Sequence, residues 1–139
     1  MTLSEVFKRL DISGNQAAGV HPVYIGGPVE TQRGFVLHSD KQRLSPDALV
    51  ISGAYVLTAT QDILAEIGGE CGPDPYLFAL GYSGWGAGQL EGEIAQNGWL
   101  TAQASQDIVF GTDPDLMWET ALRSNGIDPV TLSGTAGRA

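Results

Sequence analysis

A glycine-rich segment, residues 81–91, comes closest to a catalytic motif in this chain. Gly81-Tyr82-Ser83-Gly84-Trp85 approaches the G-x-S-x-G nucleophile elbow, in which a strand-to-helix turn exposes a serine for attack on an acyl carbon. Trp85 stands where the motif has glycine, and no histidine follows Ser83 to act as its base. The segment therefore predicts a tight turn that packs a helix onto a strand, with a hydrolase that uses Ser83 as the alternative.

The same glycines invite comparison with the dinucleotide fingerprint G-x-G-x-x-G. Counting from Gly84 or from Gly86, the last position is Gln89 or Glu91, so neither register completes the motif. The chain also has no Gly-Lys-Ser or Gly-Lys-Thr phosphate loop. We expect no nucleotide and no other cofactor.

Metal ligands and thiols are scarce in this sequence. His21, His38 and Cys71 are far apart along the chain, which predicts no metal site. A single cysteine cannot form an intramolecular disulfide, and the chain has neither a signal peptide pattern nor a long apolar run. These features predict a cytoplasmic protein that does not cross a membrane.

Polar residues near two turns are the best candidates for ligand contact. Arg33 and His38 flank an apolar strand that follows the Gly26-Gly27-Pro28 turn, and a regular strand would point them to opposite faces. A site shared by Arg33 and His38 would need a bulge in the strand. The alternative to ligand contact is that Arg33 has a structural role, in an ion pair with a carboxylate such as Glu91 or Glu93. The candidate site is where this turn meets the glycine-rich segment, and its residues are Gly26, Gly27, Arg33, His38, Tyr82, Trp85, Gln89 and Glu91.

The charge pattern disfavours direct contact with nucleic acid. The net charge is −9, and residues 44–122 contain eleven acids but no Lys or Arg. Nucleic-acid binding depends on cations that meet phosphates, and this chain has few. We expect a protein partner or a small ligand instead.

Helical and strand patterns alternate irregularly along one predicted domain, residues 1–139. Thr2-Leu3-Ser4-Glu5 is a capping box that begins a helix, and residues 14–19 read as a loop. Apolar periodicity predicts a helix capped by Thr60 and two more helices, after the glycine-rich segment and after Asp113-Pro114. β-Branched and aromatic runs predict strands at 23–25, 34–38, 49–51, 55–58, 76–80, 99–102 and 107–110. This order favours an α+β domain with a mixed sheet.

Two blocks carry a resemblance to a known family. The first runs from Gly26-Gly27-Pro28-Val29 to Arg33-Gly34-Phe35-Val36-Leu37-His38, and the second from residue 81 through Asn97-Gly98-Trp99-Leu100. Together they resemble the AlgH family of bacterial proteins, also called YqgE or UPF0301. The resemblance implies a partly barrel-like mixed β-sheet surrounded by helices, in a cytosolic protein without an established activity. The family's label of transcriptional regulator adds a regulator acting on DNA as a further alternative.

The resemblance also implies a missing segment. Family members carry about fifty further residues before the position of Met1, strands of the sheet among them, and unpaired strands recruit other chains. We therefore expect self-association through an uncovered sheet edge. The preferred interpretation is a regulatory domain that binds a protein or a small ligand and has no catalytic residues.

Overall fold

The computed structural model describes residues 1–39, 45–52 and 54–132. The chain groups into two compact units, Met1–Gly84 and Trp85–Ala139. Each unit has its own secondary structure. The single domain expected over residues 1–139 stays a prediction.

Within its described residues, the first unit contains three helices and the five strands of one sheet. Its helices are α1 (Leu3–Leu10), α2 (Gln16–Gly19) and α3 (Gln61–Gly68). Its strands are β1 (Val23–Ile25), β2 (Val29–His38), β3 (Leu49–Ser52), β4 (Tyr55–Thr58) and β5 (Tyr76–Tyr82). The Glu5 carboxylate accepts the Thr2 N–H at 2.8 Å, so the capping box begins α1 where the sequence predicts it. The loop expected at residues 14–19 instead contains the short helix α2, where the Asn15 side chain accepts the Ala18 N–H.

The sheet has the order β1-β5-β2-β4-β3. Strands β1 and β5 run parallel, and the other neighbours run antiparallel. The mixed α+β class is therefore confirmed. The sheet formed by these five strands is open rather than closed into a barrel, with β1 and β3 at its two edges.

The core of the first unit lies between one face of the sheet and the helices. Val36 of β2 and Phe78 of β5 are partners across the sheet and are both buried. They pack with apolar side chains of the helices: Leu3, Val6, Phe7, Ala18, Ile63, Leu64 and Ile67. The buried residues of α1 and α3 recur at helical spacing, so each helix turns one apolar face to the sheet, whereas Leu10 at the end of α1 is 39% exposed.

The second unit is helical in the part of the chain that the structure describes. It contains α4 (Gln89–Ala95), α5 (Gln106–Gly111), α6 (Pro114–Ser124) and a short 3-10 helix, Pro129–Thr131. The strand expected at 107–110 is wrong, because the Ser105 hydroxyl accepts the Ile108 N–H and caps α5 there. Residues 99–102 form no strand either. None of the described helices is both long enough and apolar enough to cross a membrane.

Candidate functional site

The two glycine turns of the first unit meet backbone to backbone. The Gly26 N–H donates to the Leu80 carbonyl at 2.8 Å. A side chain at Gly26 would collide with the Gly81 carbonyl oxygen, and one at Gly27 would collide with the Tyr82 carbonyl. Gly81 itself has φ of +74°, a conformation that favours glycine. Backbone atoms thus occupy the space between these turns, so the glycines allow close approach of two chain segments rather than of a ligand.

Strand β2 carries the irregularity that a site around Arg33 requires. Its register against β5 shifts between Val29 and Gly34, and Glu30 within this bulge has φ of +44°. The Arg33 guanidinium forms an ion pair with Glu30 at 3.4 Å and lies 5.3 Å from the centre of the Phe35 ring. The bulge therefore turns Arg33 toward a neighbour on its own strand.

This ion pair corrects the partner expected for Arg33. The sequence suggested Glu91 or Glu93, but the local bulge brings Glu30 within reach at much lower cost in chain entropy. The Tyr82 hydroxyl interacts with the same carboxylate. Its hydrogen bond with Glu30, and next the negative charge of Glu30, raise the pKa of the Tyr82 hydroxyl, and the positive charge of Arg33 offsets part of this rise.

His38 lies at the other end of β2 and belongs to the core. It is 1% exposed, and its Nε2 lies 2.9 Å from the Thr58 hydroxyl on β4. Arg33 is exposed. The structure does not bring these two residues into a shared site, although the bulge is present.

Trp85 and Gln89 of the second unit converge on one carboxylate. The Glu93 carboxylate accepts the indole N–H of Trp85 at 3.2 Å, that of Trp99 at 2.6 Å, and the Gln89 amide at 3.1 Å. The Gln89 side-chain oxygen in turn accepts the Gly86 N–H. We call these five residues the Glu93 network. Hydrogen bonds from Trp99, Trp85 and Gln89, in decreasing order, hold the pKa of Glu93 below its usual range.

Glu91 lies outside this network. It is exposed in the first turn of α4, where the helix dipole favours an acidic side chain. The other sequence-predicted residues divide into the contact between the two glycine turns, which we call the glycine crossing, the β2 bulge, the core and the Glu93 network.

A cavity of about 370 Å³ opens in the first unit beside the bulge. Its walls come from the end of α1, the β2 bulge, the start of α3 and strand β5. We call it the Arg9 cavity, and its lining residues are Met1, Val6, Arg9, Leu10, Gln32, Arg33, Gly34, Ala59, Thr60, Gln61, Leu64, Phe78 and Leu80. Of the residues proposed from sequence, only Arg33 lines it.

No short motif marks the Arg9 cavity in the sequence. Its lining comes from four stretches of chain that only the fold brings together. The available signals are weak: Arg9 lies three positions after the apolar Val6 on α1, and Gly34 leaves room for the Phe78 ring, whose atoms would lie 2.7 Å from an added Cβ.

Groups for metal binding or serine chemistry do not assemble in the described ranges. Across residues 1–39, 45–52 and 54–132, no three His, Cys, Asp or Glu side chains lie together so as to hold a metal ion. Ser83 is exposed, and no hydrogen bond joins its hydroxyl to an imidazole or carboxylate in this part of the chain. The turn that carries Ser83 therefore lacks an activated nucleophile in the geometry observed.

Comparison with known proteins gives a consistent family assignment. The family described as AlgH-like (DUF179) matches residues 1–130. A UPF0301 protein of Ruegeria pomeroyi is 49% identical over 140 residues, covering 100% of this chain and 76% of the relative. A UPF0301 protein of Cupriavidus pinatubonensis is 44% identical over 138 residues, covering 99% of this chain and 72% of the relative. The chain is therefore shorter than these relatives, as the resemblance implied.

Solved structures agree with this assignment. The solution structure of the AlgH protein from Pseudomonas aeruginosa matches with a TM-score of 0.78 and 36% identity, over 100% of this chain and 74% of that one. Protein DIP2367 from Corynebacterium diphtheriae matches with a TM-score of 0.59 at 19% identity, over 85% of this chain and 63% of that one, and this second likeness shows the fold alone.

Proposed function

The chain belongs to the AlgH-like family, and we propose that its first unit is a small-ligand-binding domain with a regulatory rather than a catalytic role. The observation that carries this proposal is the Arg9 cavity. Its volume of about 370 Å³ lies at the lower end of the roughly 300–1,000 Å³ typical of ligand pockets. A small organic molecule fits that space.

The lining supports binding better than catalysis. Apolar side chains of α1, α3 and β5 form much of the wall, and the polar side chains are amides, one hydroxyl and two guanidinium groups. Among the described residues, none of the lining side chains is a His, Cys, Asp, Glu, Lys, Ser or Tyr. General acid–base catalysis needs a group that exchanges a proton near the working pH, and guanidinium does not.

Direct contact with DNA is not needed for a regulatory role. A net charge of −9 opposes approach to a polyanion, so we propose that regulation passes through a protein partner. A gel-shift titration at low salt tests this, and sequence-specific retardation that persists at physiological salt would favour the regulator acting on DNA.

Nuclear magnetic resonance can test the ligand-binding proposal. Labelled protein is titrated with a panel of anionic, neutral and cationic metabolites, and the methyl signals of Val6, Leu10 and Leu64 are followed. We expect at least one class of molecule to shift these lining signals in a saturable way. Silence from every class would overturn the proposal.

A pair of α3 variants locates the binding. Gln61 is exposed and lines the cavity, whereas Ala65 is exposed one turn later and does not. Gln61→Trp places an indole at the mouth of the cavity and should weaken binding, and Ala65→Trp on the same helix should not. Equal effects of the two variants would place the ligand elsewhere.

A further inference from the structure

The charged side chains that line the Arg9 cavity are positive, whereas the net charge of the whole chain is negative. The protein has sixteen acidic and seven basic residues. In the part of the chain that the structure describes, the cavity lining nevertheless contains two arginines and no Asp or Glu. A cavity built this way favours an anion even though the protein as a whole repels one.

Arg9 is the better placed of the two cations. It follows Val6 by three positions on α1, and residues three apart share a helix face. Val6 is buried in the core, Arg9 is exposed, and both line the cavity. Within the described residues no carboxylate forms an ion pair with Arg9. Its guanidinium is therefore available to a ligand at the rim.

Arg33 is a secondary contact. Its guanidinium is engaged by Glu30 at 3.4 Å, with both side chains more than half exposed. Ion pairs that are this exposed contribute little stability, so a ligand anion can compete with Glu30.

The start of α3 adds a third contribution: Thr60 has an extended N-cap conformation without a side-chain cap hydrogen bond. This end of the helix favours negative charge, although Asp62 in the same turn offsets part of that effect.

The interior of the cavity is apolar. Leu64, Phe78 and Leu80 line it together with Val6 and Leu10. A ligand that fills this volume must bury hydrocarbon against these side chains, and burial of apolar surface supplies most of its binding free energy. An inorganic ion alone would leave this wall uncovered.

We propose that the Arg9 cavity binds a small amphipathic anion, a carboxylate or phosphate monoester that carries a short apolar chain. This proposal rests on the proposed ligand-binding function and names the chemical class of its ligand. The anionic head meets Arg9 at the rim, and the chain lies against Leu64 and Phe78.

Hexanoate and hexyl phosphate are the test probes, with hexanamide as the neutral analogue of the same shape. Their dissociation constants are measured by titrating the methyl signals of Val6, Leu10 and Leu64. We expect at least one of the two anions to bind about tenfold more tightly than hexanamide, the ratio that one charge-assisted hydrogen bond supplies. Acetate, which has the head without the chain, should bind more weakly than hexanoate.

Arg9→Gln and Lys8→Gln form a matched pair for locating the anionic head. Lys8 is the neighbouring residue on α1 and does not line the Arg9 cavity, and both changes remove one positive charge. Arg9→Gln should weaken binding of the anion about tenfold while leaving hexanamide unchanged, and Lys8→Gln should change neither.

The outcomes separate the two proposals. Equal affinity for the anions and hexanamide, or equal effects of the two variants, would overturn the ligand class while leaving a ligand-binding domain in place. Failure of every probe, together with silence across the metabolite panel, would overturn both. Weaker anion binding in Arg9→Gln, with unchanged binding in Lys8→Gln, would support both the ligand-binding function and the ligand class.

Discussion

The indole N–H of Trp99 donates to the Glu93 carboxylate at 2.6 Å, six residues earlier in the chain. Trp85, which precedes α4 in the chain, donates its indole N–H to the same oxygen, and the two indole rings contact each other edge to face with centroids 5.9 Å apart. One acidic side chain thus connects the residues before and after the helix. The segment predicted to form a tight turn, with catalysis by Ser83 as the alternative, contributes Trp85, Gly86 and Gln89 to these hydrogen bonds around Glu93.

Replacing Glu93 tests whether this network stabilises the second unit. Glu93→Gln removes the negative charge that the two indoles and Gln89 contact, so we expect a lower melting temperature at pH 7 by tryptophan fluorescence. Glu91→Gln is the control, because Glu91 is exposed on the same helix and outside the network. An equal loss in the two variants would mean that helix charge, not the network, is responsible.

The same network predicts a pH dependence with a defined sign. The folded state lowers the pKa of Glu93 from its ordinary value of 4.5. A carboxyl group with a lowered pKa contributes stability that is fully present above its ordinary pKa and is lost as the pH falls through the folded value. The difference in melting temperature between the wild type and Glu93→Gln should therefore be constant from pH 7 down to about 5 and shrink below 4.5. A difference that persists unchanged in acid would contradict this assignment.

Much of the first unit follows from local sequence patterns. The capping box at Thr2, the apolar spacing of α1 and the β-branched and aromatic runs each satisfy local hydrogen bonding and one-sided burial. The segment at 107–110 shows the limit of such patterns. Its Ile-Val-Phe run has strand propensity, but the Ser105 cap and the turn of helix it begins determine the local structure instead.

The candidate site was less predictable than the fold for a physical reason. Residues of the glycine crossing and of the Glu93 network were expected to face a ligand, but they contact other parts of the chain. A glycine that allows a backbone segment to come close looks the same in sequence as a glycine that allows a ligand to come close. The Arg9 cavity depends on a bulge at Glu30 and on the packing of α1 and α3 beside β5. Non-local packing of this kind has no periodic signature in one sequence.

Gly81→Ala tests the crossing of the two glycine turns. The new Cβ would lie 2.5 Å from the Gly27 carbonyl oxygen at a backbone φ of +74°. The conformation alone costs about 1–3 kcal/mol, and the contact adds to it. Hydrogen exchange of the β5 amides should accelerate accordingly. Gly92→Ala is the control, since nothing lies within 4 Å of its added Cβ, and it should leave β5 unchanged; acceleration in both variants would contradict the explanation.

Ser83→Ala tests the hydrolase alternative. If Ser83 were a nucleophile, its removal would lower the turnover of a reactive ester by several orders of magnitude, about 10⁴-fold or more. We expect instead that the parent protein and the variant hydrolyse p-nitrophenyl esters at the same background rate, because no base is hydrogen-bonded to Ser83 in the described part of the chain. Turnover by the parent that disappears in Ser83→Ala would establish the alternative.

Strand β3 is the sheet edge through which we expect the protein to self-associate. In the described sheet β3 pairs only with β4, and its apolar side chains Leu49, Val50 and Ile51 are 61%, 53% and 54% exposed. An exposed apolar edge strand offers unpaired backbone groups to a second copy of the chain. We expect concentration-dependent dimerisation by sedimentation velocity, weakened in Val50→Lys because a charge at the edge opposes pairing. Val20→Lys, at a residue that is 74% exposed outside the sheet, should dimerise like the parent. A parent protein that stays monomeric at all concentrations, or equal loss of dimer in both variants, would rule out β3 as the interface.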